Sequence, residues 1–257
     1  MISVVIPTYK EPDALNICLK SATENKKINT TEIIVVCDGY YELNKSVLDL
    51  YKDDIRIIKL EENYGLSTAT NVGVQACTNE YVLIVNDDNV FPNDWDLLLT
   101  DEYYIIMLEN NIIVPNQIEC NPSIFHKFEI KNFGNINNFK YDEFLSYGIQ
   151  CNIEKFREWD RCGYTLPIYI KKINYLKVGG WDEHYPGPWV VDLDFFYKLS
   201  LCGIESIRIY GVVFYHFGGI GTSQLQKSNL ELKALEFFKD KWGGYPKRNK
   251  NNFKVYI

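Results

Sequence analysis

The residues best able to do chemistry are Asn86-Asp87-Asp88-Asn89, which follow the apolar run Tyr81-Val82-Leu83-Ile84-Val85 and precede Val90-Phe91-Pro92. A short continuous apolar run reads as a fully buried strand. Carboxylates at the carboxyl end of such a strand lie where open α/β sheets bind their ligands. Two adjacent anionic side chains repel each other unless a cation joins them. Oxygen ligands suit Mg2+ or Mn2+, with a phosphate completing the shell. The competing reading is a solvated Asp/Asn turn after a strand.

The elements that must position these acids follow from periodicity. Apolar runs at Ile2–Ile6, Glu32–Cys37, Ile55–Leu60 and Tyr81–Val85 read as strands. Helical spacing covers Asp13–Ala22, Leu43–Tyr51 and the small-residue stretch Ser67–Ala76, with a turn at Asn63–Ser67. Strand–helix alternation with short connections implies right-handed βαβ units and a parallel sheet. Thr8, Asp38 and Asp88 each sit just after a strand, the positions that line one edge of a doubly wound sheet. No Gly-x-Gly-x-x-Gly or Walker pattern is present. From Gln117 to Asp160 the chain is rich in Asn, Phe and Tyr with weak periodicity, and a loop-rich insertion is expected that covers or binds something. Regular structure returns at Thr165–Leu176. A helix is expected over Asp192–Cys202 capped by Gly203, then a strand at Ile207–His216 and a final amphipathic helix at Gln224–Lys241.

Composition narrows the function classes. The 257 residues suffice for one sizeable core, and 46% hydrophobic with 24% charged residues is ordinary for a soluble globular protein. A net charge of −7 disfavours nucleic acid as the partner. The seven cysteines are scattered, which suggests reduced thiols in a cytoplasmic setting. No apolar stretch reaches membrane-spanning length, and the N-terminus reads as a strand rather than a leader. Lys239, Lys241, Lys247, Arg248, Lys250 and Lys254 lie among aromatic residues. This tail is either a contact with an anionic membrane or a phosphorylated acceptor, or a solvated end.

Taken in order, these stations resemble the family 2 glycosyltransferases. The matching residues are Val4-Val5-Ile6-Pro7-Thr8-Tyr9, Val35-Val36-Cys37-Asp38-Gly39, Asn63-Tyr64-Gly65-Leu66-Ser67, Asn71-Val72-Gly73 and Asn86-Asp87-Asp88. Further on come Gly179-Gly180-Trp181-Asp182-Glu183, Asp192-Leu193-Asp194-Phe195 and His216-x-x-Gly219. The resemblance implies a GT-A fold: an α/β, Rossmann-like, mostly parallel sheet flanked by helices. It is expected as a single domain with a nucleotide-sugar half (1–115), an acceptor half (116–223) and a C-terminal helix and tail (224–257). It also implies inverting transfer from a UDP- or dTDP-sugar to a hydroxyl of a glycan or glycoconjugate, assisted by Mn2+ or Mg2+.

By that resemblance Pro7, Thr8, Tyr9 and Glu11 meet the nucleotide, and Asp38 accepts from the base imide. Asn63, Gly65, Leu66 and Asn71 cradle the sugar-nucleotide, together with Asn86 and Asp87. Asp88 and His216 hold the metal, and Asp192 is the general base, with Asp182 and Glu183 as other candidates and a helix cap as its structural alternative. Trp181, Asp182, Glu183 and Trp189 face the acceptor, although the tryptophans could equally be core. Lys10 and Lys20 read as solvated.

The chain departs from the family pattern at Asn86, where the first acid of the metal motif is expected and where the asparagine resembles a rhamnosyltransferase-like branch. It departs again at Val191, where a Glu-Asp pair keeps only its second acid, and at Thr70, where arginine is common. A degenerate sugar-nucleotide-binding protein and a sugar nucleotidyltransferase are the competing functions. The second lacks its Gly-rich, Arg-containing loop here.

Overall fold

The computed structural model describes residues 1–29, 31–119, 129–161, 165–218, 227–248 and 255–256. The first half runs β1 (Ile2–Thr8), α1 (Pro12–Glu24), β2 (Glu32–Asp38), α2 (Tyr41–Leu50), β3 (Arg56–Leu60), α3 (Leu66–Ala76) and β4 (Tyr81–Ile84). Then follow β5 (Asn89–Val90), α4 (Trp95–Leu99), α5 (Glu102–Met107), β6 (Asn111–Glu119), β7 (Glu129–Ile130) and α6 (Tyr141–Lys155). The last part comprises β8 (Trp159–Asp160), β9 (Ile168–Lys171), α7 (Lys172–Lys177), α8 (Val191–Leu201), β10 (Glu205–His216) and α9 (Lys227–Trp242). A short pair, β11 (Lys247–Arg248) and β12 (Val255–Tyr256), ends the described chain.

One sheet joins both halves in the order β3-β2-β1-β4-β9-β6-β10-β5, with β7 on β6 and β8 on β10. β9 runs antiparallel to both β4 and β6. β4 and β6 therefore share one direction with β1, β2, β3 and β10. The carboxyl ends of these six strands open on one edge, and that edge collects the chemistry. The sheet is mixed where β9, β5 and β8 run against the others.

Alternation along the strands fills two cores, because successive side chains leave opposite faces of a sheet. Val5, Ile34 and Val36 pack with Ala69 and Val74 of α3, Phe195 of α8, and Ala234 and Phe238 of α9. Val4, Ile6, Ile33 and Val35 pack on the other face with Leu15 and Leu19 of α1, Leu48, Trp95 and Tyr104. The small-residue helix lies as close to the sheet as its composition suggests. A Cβ on Gly73 would overlap Val5 Cγ1 and sit 3.1 Å from Val36 Cγ2. Gly73→Ala should therefore lower stability by about 1–2 kcal/mol. Overpacking of about 1–3 kcal/mol outweighs the better helix propensity of alanine, and a urea midpoint reads the difference.

Within Gln117–Asp160, where a loop-rich insertion was expected, the described residues include regular elements. Strand β6 continues to Glu119, and α6 supplies fifteen helical residues. Phe144, Gly148 and Cys151 recur at helical spacing on its buried face, where Phe144 and Cys151 join Val213, Tyr215, Val90 and Ile118 in a third cluster. The pattern is obscured in sequence because Ile149 and Ile153 are exposed on the opposite face. Gly148 brings the helix against Pro92, 3.3 Å from where a Cβ would stand.

Candidate active site

Strand β4 hands its ladder to Val85, whose N–H bonds Val5 O at 3.0 Å, and the chain then turns. Asn89 N donates to Asn86 O at 3.2 Å, closing the turn that displays Asp87 and Asp88. Asn86 O also accepts from the Cys18 thiol at 3.7 Å. Beyond the turn, β5 pairs with β10 so that Asn89 faces His216. Phe217 N donates to Asp88 O at 3.1 Å. The two expected metal ligands, 128 positions apart in the chain, are thus locked together by backbone. Asp88 Oδ1 lies 3.1 Å from His216 Nε2.

Glu119, which the sequence reading did not single out, completes this cluster. Its Oε1 lies 2.6 Å from His216 Nδ1, and Gln117 Nε2 lies 2.9 Å from the same oxygen. The available signal was polar residues at i and i+2 where the apolar run Ile112–Val114 ends, a strand's carboxyl end. Burial alone would lower the basicity of His216, but the charges and hydrogen bonds of Asp88 and Glu119 push its pKa up to about 10. Burial, then the neighbouring Asp88 charge, push Asp87 up to about 7, against the Thr8 hydroxyl and the Tyr9 amide. Burial and the Asp88 and Asp13 charges also raise Glu11. Acids raised by burial and by one another mark a pocket where further positive charge is favourable.

A divalent ion suits that pocket. Asp88 and His216 offer one carboxylate and one imidazole, a donor pair compatible with Mn2+ and, through the oxygen, with Mg2+. Among the described residues no three His, Cys, Asp or Glu side chains form a ready-made cage. The remaining ligands would therefore come from substrate oxygens and water.

At the ends of β1 and β2 the geometry suits a nucleotide. Asp38 accepts from Tyr64 N at 2.7 Å and Gly65 N at 2.9 Å, one bond per oxygen, and each oxygen keeps a lone pair free. Burial raises its pKa and these two amides oppose the rise. Asn63 Oδ1 also accepts from Gly65 N, at 3.0 Å, and Leu66 starts α3 half-buried against the core. Tyr9 meets Tyr40 edge-on at 5.2 Å. Lys10 is not simply solvated: its Nζ lies 4.0 Å from the Tyr40 ring centre, and Lys20 Nζ lies 5.1 Å from that of Tyr141. Pro7 is buried within β1, paired to Val36.

Other expected site residues turn out to be structural. Asn71, expected to cradle the sugar-nucleotide, is engaged by the protein itself. Its Nδ2 donates to Trp181 O at 2.9 Å and Glu183 Oε1 at 2.7 Å, while its Oδ1 accepts from Tyr175 Oη at 2.6 Å and Trp181 N at 3.0 Å. Gly180, at φ +66°, fits beneath it because a Cβ there would overlap Asn71 Oδ1. Asn71→Leu should lower stability by about 3 kcal/mol, because it orphans several buried polar groups; chemical unfolding checks this. Trp181 is core, 3% exposed and packed by Phe195, so it offers no platform to a sugar. Trp189 is half-buried against the same cluster.

Asp182 is not a free base. Lys241 Nζ lies 2.6 Å from its Oδ2 and His184 Nδ1 lies 2.8 Å from its Oδ1. Burial would raise its pKa, but these partners hold it down at about 2. Asp194 is wholly buried, accepting from Trp242 Nε1 at 2.7 Å and Tyr185 Oη at 3.2 Å, with Lys241 at 2.7 Å. Asp192, like Asp182, is half-buried. It is not the helix cap: α8 begins at Val191, and its cap is Val190 at φ +70°, a strained conformation for a β-branched residue. Asp192 Oδ1 accepts from Leu193 N at 2.8 Å. Thr70 and Val191, two of the departures from the family pattern, are both fully buried, and the Thr70 hydroxyl donates to Leu66 O at 2.7 Å.

The basic tail is in part ion-paired. Lys241 joins Asp182 and Asp194, and Lys239 lies 3.2 Å from Glu236. Lys250, Lys254 and Gly219 lie outside the described residues. Among the described residues no helix is long and apolar enough to cross a membrane, and Cys18, Cys37, Cys77 and Cys202 are free thiols.

A family model described as glycosyl transferase family 2 matches residues 3–173. The chain belongs to glycosyltransferase family 2. Among its relatives in the family, the glycosyltransferase YibD of Escherichia coli K12 is 30% identical over 102 residues, 38% of this chain and 29% of YibD. The glycosyltransferase RP339 of Rickettsia prowazekii is 23% identical over 262 residues, covering 96% of this chain and 72% of that relative. The chain thus spans under a third of one and most of the other. Among solved structures, S. aureus TarS 1-349 in complex with UDP superposes with a TM-score of 0.60 at 14% identity, over 94% of this chain and 72% of that one. GalNAc-T7 with UDP, GalNAc and Mn2+ superposes with a TM-score of 0.61 at 13% identity, over 84% and 43%. These likenesses establish the GT-A fold for this family 2 chain.

Proposed function

We propose that this chain is a metal-assisted, inverting glycosyltransferase that moves a sugar from a UDP-sugar to a hydroxyl of a glycan or glycoconjugate. The observation that carries the reading is the facing of Asp88 and His216 Nε2 across 3.1 Å at the carboxyl edge of the sheet, beside Asp87, whose pKa burial and the Asp88 charge raise to about 7. The UDP and Mn2+ held by GalNAc-T7, and the UDP held by TarS, support this choice of donor and ion. Nothing comparable supports dTDP. Asp88 and His216 would hold the ion, and when bound it supplies Lewis-acid charge to the departing diphosphate. Asp38 uses its spare lone pairs to accept from the uracil imide, and Tyr9 with Tyr40 offers ring surface beside it.

On the acceptor side, Asp192 takes the proton of the attacking hydroxyl. Asp182 and Asp194 are committed to Lys241. A single base with direct attack gives inversion, and the 116–223 half supplies the acceptor surface. Donor hydrolysis tests the reading. UDP-sugars should be slowly cleaved with Mn2+ present and spared with chelator, and equal rates in both conditions would overturn the metal-assisted mechanism.

A further inference from the structure

His216 has two ring nitrogens, and both are spoken for. Nε2 faces Asp88, while Nδ1 lies 2.6 Å from Glu119 Oε1 and 2.9 Å from Gln117 Nε2. A carboxylate can only accept, so Nδ1 is the donor to Glu119, and the Gln117 N–H has the same Glu119 oxygen as its acceptor. Glu119 cannot drift from this place, because β6 and β10 pair in parallel with Asn116 to Glu119 opposite Val213 to His216. Gln117, two residues back on the same face of β6, donates its amide to Glu119 Oε1 at 2.9 Å. The result is a rail, Gln117 to Glu119 to His216 to Asp88, built on two central strands. When a cation replaces the Nε2 proton that otherwise faces Asp88, the proton held between Nδ1 and Glu119 leaves the Nε2 lone pair as the one presented to the ion. Without the carboxylate the neutral ring is free to carry its proton on Nε2, which would face a cation with N–H instead of a lone pair. Glu119 stands on the far side of the imidazole from Asp88, so it acts through the ring rather than on the ion.

We propose that Glu119, braced by Gln117, is the positioning residue that fixes the tautomer and orientation of His216 for a divalent cation held with Asp88. This rests on the metal-assisted reading above. Carboxylates in this relation to a ligating histidine are worth 10- to 100-fold in metal affinity.

The test is Mn2+ titration in the presence of UDP, read by the electron paramagnetic resonance signal of free Mn2+. Glu119→Gln should weaken Mn2+ binding 10- to 100-fold, while UDP affinity without metal stays within about twofold. Glu119→Asp, which restores the charge on a shorter arm, should recover part of the loss. A Glu119→Gln protein that binds Mn2+ within about threefold of wild type overturns the inference, even if its melting temperature falls, since a purely structural role predicts that outcome. Should that variant fail to fold, Gln117→Met decides instead: weakened Mn2+ binding supports the rail and unchanged binding overturns it. If wild type binds no Mn2+ with UDP, the metal reading falls and this inference with it. Normal wild-type binding beside an unaffected Glu119→Gln removes this inference alone.

Discussion

Asp88→Asn should lower turnover by about 10³-fold or more and reduce UDP affinity in Mn2+ to the metal-free level. The leaving diphosphate gathers negative charge in the transition state, and a bound cation offsets this by several kcal/mol. About 4 kcal/mol corresponds to 10³ in rate. Asparagine keeps the shape of Asp88 and removes the charge that faces His216 Nε2. Backbone bonds in the turn, such as Phe217 N to Asp88 O, do not depend on that side chain, so the fold should survive. Steady-state kinetics with calorimetry of UDP and Mn2+ reads both effects. Retention of metal-dependent UDP affinity would place the ion elsewhere.

Asp192→Asn should lower kcat by about 10²- to 10⁴-fold, the usual contribution of a positioned general base, with UDP and Mn2+ binding intact. The variant should fold, because an asparagine oxygen can still accept from Leu193 N as the carboxylate does. Asp182→Asn is the informative contrast. That residue is an ion-pair partner of Lys241, so its loss should show in the melting temperature before it shows in kcat. Single-turnover assays at saturating donor separate the cases. Full activity in Asp192→Asn, with activity lost in Asp182→Asn at unchanged stability, would transfer the base role. The same Asp192→Asn result also separates an enzyme from a degenerate nucleotide-binding protein, which would show no turnover to lose.

The parallel core was legible because β1, β2 and β4 are buried on both faces and read as unbroken apolar runs that end in Thr8, Asp38 and Asn86-Asp87-Asp88. The juxtaposition of Asp88 with His216 was available only through resemblance, since nothing local in either segment says that β5 pairs with β10. α6 escaped notice because exposed isoleucines share its sequence with a narrow buried stripe. Glu119 was hidden for a related reason: it closes a strand inside the segment read as loop. For Trp181 the core alternative held, and Asn71 shows a limit of another kind. An asparagine that ties two loops together and one that grips a ligand are the same letter. Only four hydrogen bonds to Tyr175, Trp181 and Glu183 reveal the first. The basic tail misled similarly, because a lysine's partner can lie far away in sequence, as Asp182 does from Lys241.

Anomalous diffraction from a crystal grown with Mn2+ and UDP tests the central claim most directly. The account predicts a manganese peak within bonding distance of an Asp88 carboxylate oxygen and His216 Nε2, touching the diphosphate. UDP bound in the cleft with no peak beside those two side chains would contradict it.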